Sequence, residues 1–200
     1  MIRIYGKKKS RAMRCLWALE ELGLPYEHVP IDHEKGETRA AAYLGLNPSG
    51  KVPTLVDGDF VLTESMAINL YLAGKAKTEL LPSNPRQLAS VMQWTFWAVS
   101  EAEFHVLNIV REFRRGEGKI DQHRIADSLA SLAATLSVLE IHLQKGHPYL
   151  LGEQFSMADL NAAAVLCYLG LVGFKLENYP LTAAWLDLCL ARPAWKKLQD

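Results

Sequence analysis

The sequence predicts a small α/β domain followed by an all-helical bundle. Three observations predict it. The hydrophobic period changes repeatedly over residues 1–75, two prolines interrupt residues 76–85, and helical periodicity dominates residues 86–200.

The first part reads βαβαββα. Ile2–Tyr5 is a short β-prone run. Ala12, Cys15, Leu16, Leu19 and Leu22 recur at helical spacing, and Gly23 stands where a left-handed helix terminator belongs. Tyr26–Ile31 reads as a second strand and Thr38–Leu44 as a short helix. Asn47-Pro48-Ser49-Gly50 is a turn. Thr54–Val56 and Phe60–Leu62 flank Asp57-Gly58-Asp59, a hairpin signature. A third helix follows, with Ala67, Ile68, Tyr71 and Leu72 on one face. The β-α-β opening implies a parallel, right-handed unit, and the later hairpin adds antiparallel strands.

In the second part, Leu88–Phe113 reads as one long apolar helix, broken by Gly116 and Gly118, with Trp94 and Phe96 expected in its core. Ile125–Leu143 carries a long i, i+3, i+4 pattern. At Phe155–Leu160, Ser156 and Asp159 have the spacing of a capping box, with Phe155 and Leu160 at the staple positions. Two further helices are expected near Leu181–Leu190 and Pro193–Leu198.

Composition narrows the function. The 22 Lys and Arg balance the 22 Asp and Glu, which gives no global pull toward nucleic acid or anionic lipid. Cys15, Cys167 and Cys189 are odd in number and widely spaced, which argues against a disulfide framework or zinc site. That usage suits a reducing compartment, so a cytoplasmic location is expected. The N-terminus lacks the long apolar run of a signal peptide, and no stretch approaches about 18 consecutive apolar residues. No metal, nucleic-acid or membrane partner is expected.

Several segments, in order, carry a resemblance. Tyr5–Ser10 with Arg14, Leu16-Trp17 and Leu19–Glu27 is similar to the opening of a glutathione S-transferase. Asn47–Leu55 resembles the cis-proline turn of that family, Glu64–Ile68 its Glu-Ser pair, and Phe155–Leu160 its second-domain capping motif. Pro180 and Arg192-Pro193 resemble its C-terminal phrasing. The match covers nearly the whole chain and points to the serine-type, theta- and phi-like, bacterial-style cytosolic members. It implies a thioredoxin-like domain at 1–75, a linker at 76–85, a helical domain at 86–200 and a homodimer.

The resemblance also implies chemistry. Glutathione is the co-substrate, and its thiol attacks a small hydrophobic electrophile, a detoxification reaction with peroxidase, isomerase or dehalogenase variants. A free thiol has a pKa near 8.5, so it must be ionised. Ser10 is the residue that matches the serine of the serine-type classes, which stabilises the thiolate. Read alone it is an N-cap, and both roles are compatible. Tyr5 is the alternative, matching the tyrosine-type classes. Lys51, Val52, Pro53, Glu64 and Ser65, with His33 and Lys35, are the implied glutathione contacts. Each has a plainer reading: an ordinary turn, an acidic first helical turn, or loop residues. Arg14 is expected to be a structural ion-pair partner and Cys15 to pack in the core.

Lys7-Lys8-Lys9, with Arg11 and Arg14, reads as a solvated basic face, or as a positive potential around Ser10. Trp97, Phe104, His105, Arg111 and Phe113 are the candidates for the second-substrate pocket, though an aromatic stripe at helical spacing is also what a core contains. The contrasting function is a non-catalytic glutathione S-transferase-like binding or regulatory protein, since fold alone does not secure activity. A cysteine-type thiol transferase would want cysteine at position 10.

Overall fold

The computed structural model describes residues 1–116 and 119–199. Gly118, expected to help break the long helix, lies outside the described residues. The chain divides into two compact units, one made of Met1–Leu81 and the residues from Arg192 onward, the other of Pro82–Ala191.

The first unit is built on a four-stranded sheet, β1 (Ile2–Tyr5), β2 (Tyr26–Val29), β3 (Thr54–Asp57) and β4 (Phe60–Thr63), in the order β2-β1-β3-β4. β1 runs parallel to β2 and antiparallel to β3, and β3 pairs with β4 as a hairpin. Its helices are α1 (Ala12–Leu22), a 3₁₀ turn at Glu37–Arg39, α2 (Ala41–Leu44) and α3 (Ser65–Ala76). The element order is the expected one. Gly23 ends α1 in the left-handed region at φ 61°. Residues 38–44, read as one helix, are instead split where Ala40 is extended, so the 3₁₀ turn and α2 are separate pieces.

Core formation follows the apolar spacing. Cys15, Leu16, Leu19, Ile68 and Leu72 are buried where α1 and α3 pack on each other. Ala67, expected on that face, is exposed, and Met66, Asn69 and Ala73 are buried instead. Trp17 is fully buried on the other side of α1, against Trp195 of α9 (Pro193–Lys197), with ring centroids 4.7 Å apart. Arg192 adds a two-pronged ion pair to Glu21 at 2.7 and 2.8 Å, and Lys197 reaches Glu20 at 2.6 Å. The last residues, expected within the helical domain, therefore pack in the first unit. Nothing in their own periodicity reveals this, because the partners that hold them are about 175 residues away.

The second unit contains α4 (Pro85–Trp97), a π-helical turn at Ala98–Ala102, α5 (Glu103–Arg114), α6 (Gln122–Leu143), α7 (Met157–Leu166), a 3₁₀ segment at Cys167–Val172 and α8 (Pro180–Leu190). The single helix expected over 88–113 is continuous from α4 into α5, with the π turn in its middle, where Thr135 donates to the Glu101 carbonyl at 3.4 Å. α7 is buried along its whole length and is the centre of this unit. α6 is long and apolar enough to cross a membrane by length and composition alone, with part of its surface buried in this unit.

The capping box at α7 forms as read. Ser156 N–H and Oγ–H both donate to Asp159 Oδ2, while Leu150 N–H and Trp185 Nε1–H donate to Oδ1. Burial pushes the Asp159 carboxyl up, and these donors pull it back. Trp94 is buried as expected, but Phe96 is 63% exposed. Two residues beyond Trp94 the helix has turned about 200°, which puts Phe96 on the opposite face.

Candidate active site

α1 begins two residues after Ser10, with Arg11 between them. The Ser10 oxygen accepts from the Ala12 amide at 3.1 Å, and its hydroxyl donates to the Lys7 carbonyl at 2.7 Å. The Ser10 carbonyl takes the Met13 amide and the Arg11 carbonyl takes that of Arg14. Ser10 is therefore a helix cap, as its type and position suggest. The amides of Ala12, Met13 and Arg14 are closed within the chain rather than turned outward.

In the lysine run Lys8 and Lys9 are exposed, as a solvated basic face requires, while Lys7 is drawn into an ion-paired cluster. Lys7 forms ion pairs with Glu34 and, at 3.0 Å, with Asp32. These two carboxylates raise the Lys7 pKa, and Lys7 holds both carboxyls below their usual values. Lys8 donates to the Leu198 carbonyl at 3.4 Å.

Close to Ala12, at the start of α1, stands the turn that precedes β3. Its Val52–Pro53 peptide is cis. Asn47 and Tyr43 grip it from behind. Asn47 Nδ2 and the Tyr43 hydroxyl both donate to the Lys51 carbonyl, at 2.8 and 2.6 Å, and both contact Thr54 Oγ1. Gly6 lies against this turn. A Cβ there would stand 2.9 Å from both Ala12 Cβ and Val52 Cβ, so glycine is what lets the end of β1, the start of α1 and Val52 converge.

Glu64 adopts φ 69°, ψ 111°, an uncommon conformation for a residue with a side chain. It is exposed, and α3 begins at the buried Ser65 beside it. Arg14, 1% exposed, donates from Nη1 to Ser65 Oγ at 3.4 Å, and the Cys15 thiol donates to the Ser65 carbonyl at 3.6 Å. These contacts tie the first turn of α1 to the first turn of α3. Arg14, expected as a structural ion-pair partner, is buried and reaches the Ser65 hydroxyl. Burial pushes the Cys15 thiol well up, which removes it as a thiolate nucleophile.

Ser10, Val52-Pro53, Glu64 and Ser65 are thereby linked within one unit through Gly6, Ala12 and Arg14. Lys51 is exposed on the same turn as Val52. Tyr5 points its ring toward Tyr43, with centroids 6.1 Å apart. His33 and Lys35 are exposed on the turn held by Lys7, and no contact draws them to Lys51. Arg39 was missed by the sequence reading. Its guanidinium covers Gly50, where a Cβ would stand 2.8 Å from Nη1, so a second cation lies beside Lys51. Only the pairing of a basic residue in the short helix with a turn glycine hints at it.

In the second unit, the pocket candidates do not share one face. Phe104 and Arg111 are seven residues apart on α5 and both exposed, so they align. Phe113 projects from the opposite side, His105 sits a quarter-turn from Phe104 with ring centroids 5.4 Å apart, and Trp97 packs against Trp94 at 5.2 Å.

Comparison with known proteins agrees with this architecture. Residues 2–74 match the family described as glutathione S-transferase, N-terminal domain, and residues 89–193 match glutathione S-transferase, C-terminal domain. The chain belongs to the glutathione S-transferase family. Among its relatives, glutathione S-transferase F9 of Arabidopsis thaliana is 35% identical over 208 residues, covering 98% of this chain and 95% of that one. Glutathione S-transferase 1 of Zea mays is 35% identical over 206 residues with the same coverage. A solved glutathione S-transferase-I bound with lactoylglutathione superposes with a TM-score of 0.89 at 35% identity, covering 98% of this chain and 97% of that one. The theta-class glutathione S-transferase of Xanthomonas axonopodis pv. citri, solved with glutathione bound, gives 0.90 at 31% identity, covering 98% and 95%. In this glutathione transferase the N-terminal match spans Ser10, Val52-Pro53 and Glu64-Ser65, and the C-terminal match spans α5.

Proposed function

We propose that this enzyme, a glutathione transferase, ionises the glutathione thiol at Ser10 and directs the sulfur at a small hydrophobic electrophile. The observation that carries this reading is the convergence of Ser10, Val52 and Ser65 through Gly6 and Arg14. The Ser65 amide and hydroxyl bind the γ-glutamyl carboxylate at the positive end of α3, a ready anion site. The exposed Glu64, fixed in its unusual conformation, faces the ligand amino group. The Val52 main chain pairs with the cysteinyl part of glutathione like an added strand. Lys51 and Arg39 meet the glycyl carboxylate, with His33 and Lys35 as second candidates.

In the resting enzyme the Ser10 proton is spent on a neutral carbonyl. Turning it to the thiolate exchanges a neutral hydrogen bond for a charge-assisted one, a gain of about 1–1.5 kcal/mol. That lowers the thiol pKa by about one unit. The thiol proton leaves to water, and the sulfur forms a bond to the electrophilic carbon while the electron pair moves to the leaving group or to the activated π system. The three free cysteines suit a cytoplasmic location. A second copy of the chain covers the apolar residues left open on β4 and α4, Phe60, Val61, Met92 and Phe96.

An ultraviolet difference titration of bound glutathione against pH tests the assignment. Thiolate should appear below the free thiol's range in the wild type, and Ser10→Ala should move it back up by about one unit. A signal that survives Ser10→Ala would transfer the role to Tyr5, and a bound thiol with no shift at all would favour a binding protein.

A further inference from the structure

We propose that His28, on β2, is a positioning residue for glutathione: it fixes the Gly6 peptide against which Val52 packs. β1 and β2 pair in parallel with Tyr5 opposite Val29, so the same register sets Gly6 opposite Pro30. The ladder continues on one side, where the Gly6 amide donates to the Val29 carbonyl at 2.9 Å. On the other side, a parallel ladder would give the Gly6 carbonyl the amide of Ile31. That amide instead donates back to the Val29 carbonyl at 2.9 Å, closing a γ-turn around Pro30. The Gly6 carbonyl takes the His28 side chain in its place, with Nε2 2.7 Å away. A carbonyl has no proton to give, so the donor is Nε2–H.

Gly6 needs this external hold. Without a Cβ it has little preference of its own among backbone conformations, and it sits at φ 128°. It is also buried, so without the imidazole its carbonyl gains a partner only if the peptide turns. That peptide is the wall beside Val52. A Cβ on Gly6 would stand 2.9 Å from Val52 Cβ and 3.3 Å from Val52 Cγ1.

The turn before β3 is thus held from two directions, by Tyr43 and Asn47 on the Lys51 carbonyl and by Gly6 on the Val52 side chain. His28 acts through Gly6 on the placement of the Val52 main chain. The Ser10 hydroxyl takes no part in this contact. This inference rests on the reading of Val52 as a glutathione contact.

Three variants test it. His28→Leu fills the space without a donor. His28→Gln restores an N–H at similar reach, and His28→Glu has the length of glutamine without its donor. Affinity for S-methylglutathione, which has no ionisable thiol, is measured by titration calorimetry on variants that far-ultraviolet dichroism shows to be folded. The expected result is binding about fivefold or more weaker in His28→Leu and His28→Glu, and within about twofold of wild type in His28→Gln. A lowered urea midpoint with unchanged affinity in the donor-less variants overturns the positioning role. A glutamine variant as weak as the other two overturns it as well, because the donor then carries nothing. His28→Glu decides the question should His28→Leu fail to fold. If the donor-less variants bind like wild type while Gly6→Ala weakens binding, only the role of His28 falls. If Gly6→Ala also leaves the affinity unchanged, the reading of Val52 falls with it.

Discussion

Gly6 and Val52 approach so closely that a Cβ on Gly6 would stand 2.9 Å from the Val52 Cβ. Gly6 also has φ 128°, a conformation that side chains disfavour. Gly6→Ala is therefore expected to push the turn at Val52 away from α1. Glutathione affinity should fall about tenfold or more, equivalent to about 1.4 kcal/mol. Titration calorimetry measures the loss, and far-ultraviolet dichroism checks that the helices persist.

Asp159 concentrates the stability of the second unit. Its buried carboxylate accepts from Leu150, from Trp185 and twice from Ser156. Asp159→Ala strands these donors and removes one half of the capping box, at a cost of at least about 3 kcal/mol. Urea denaturation of the variant should show a markedly lower midpoint. A loss below about 1 kcal/mol would mean that water replaces the carboxylate.

Glu140 supplies an acid-sensitive contact at the start of α8. Burial pushes its carboxyl up, but the Leu181 amide and the Thr182 hydroxyl and amide outweigh it, so the pKa lies below the usual 4.5. A lowered native pKa means that the unfolded chain binds the proton first as pH falls. The contribution is complete above about pH 4.5 and is lost as pH drops through the native value. Glu140→Gln should flatten this part of the acid limb in a plot of denaturation midpoint against pH. An unchanged acid limb would show that the contact does not titrate with folding.

Phe60, on the edge strand β4, and Phe96, on α4, are 43% and 63% exposed. If a second copy covers them, sedimentation should report twice the 22.4 kDa chain mass for the wild type. Phe60→Lys should shift the species toward a single chain while leaving the helical content intact. A wild-type protein that sediments as one chain at high concentration would show that these aromatics face solvent.

The local signals of this chain were legible because each is made by neighbours in sequence. The βαβαββα order, the Gly23 terminator, the hairpin around Asp57-Gly58-Asp59 and the Ser156–Asp159 capping box depend on spacing, turn chemistry and hydrophobic period. The resemblance then pointed to Ser10, Val52-Pro53 and Glu64-Ser65, and family membership followed over both domains. Tertiary structure alone decided the rest. It bound Lys7 to Asp32 and Glu34, laid Arg39 over Gly50, buried Arg14 beside Ser65, turned Phe96 outward and returned the C-terminal residues to Trp17 and Glu21. Most of these contacts join residues far apart in the chain, and each charge has several partners of suitable sign. A one-dimensional pattern records which residues can pair, whereas packing selects which of them do.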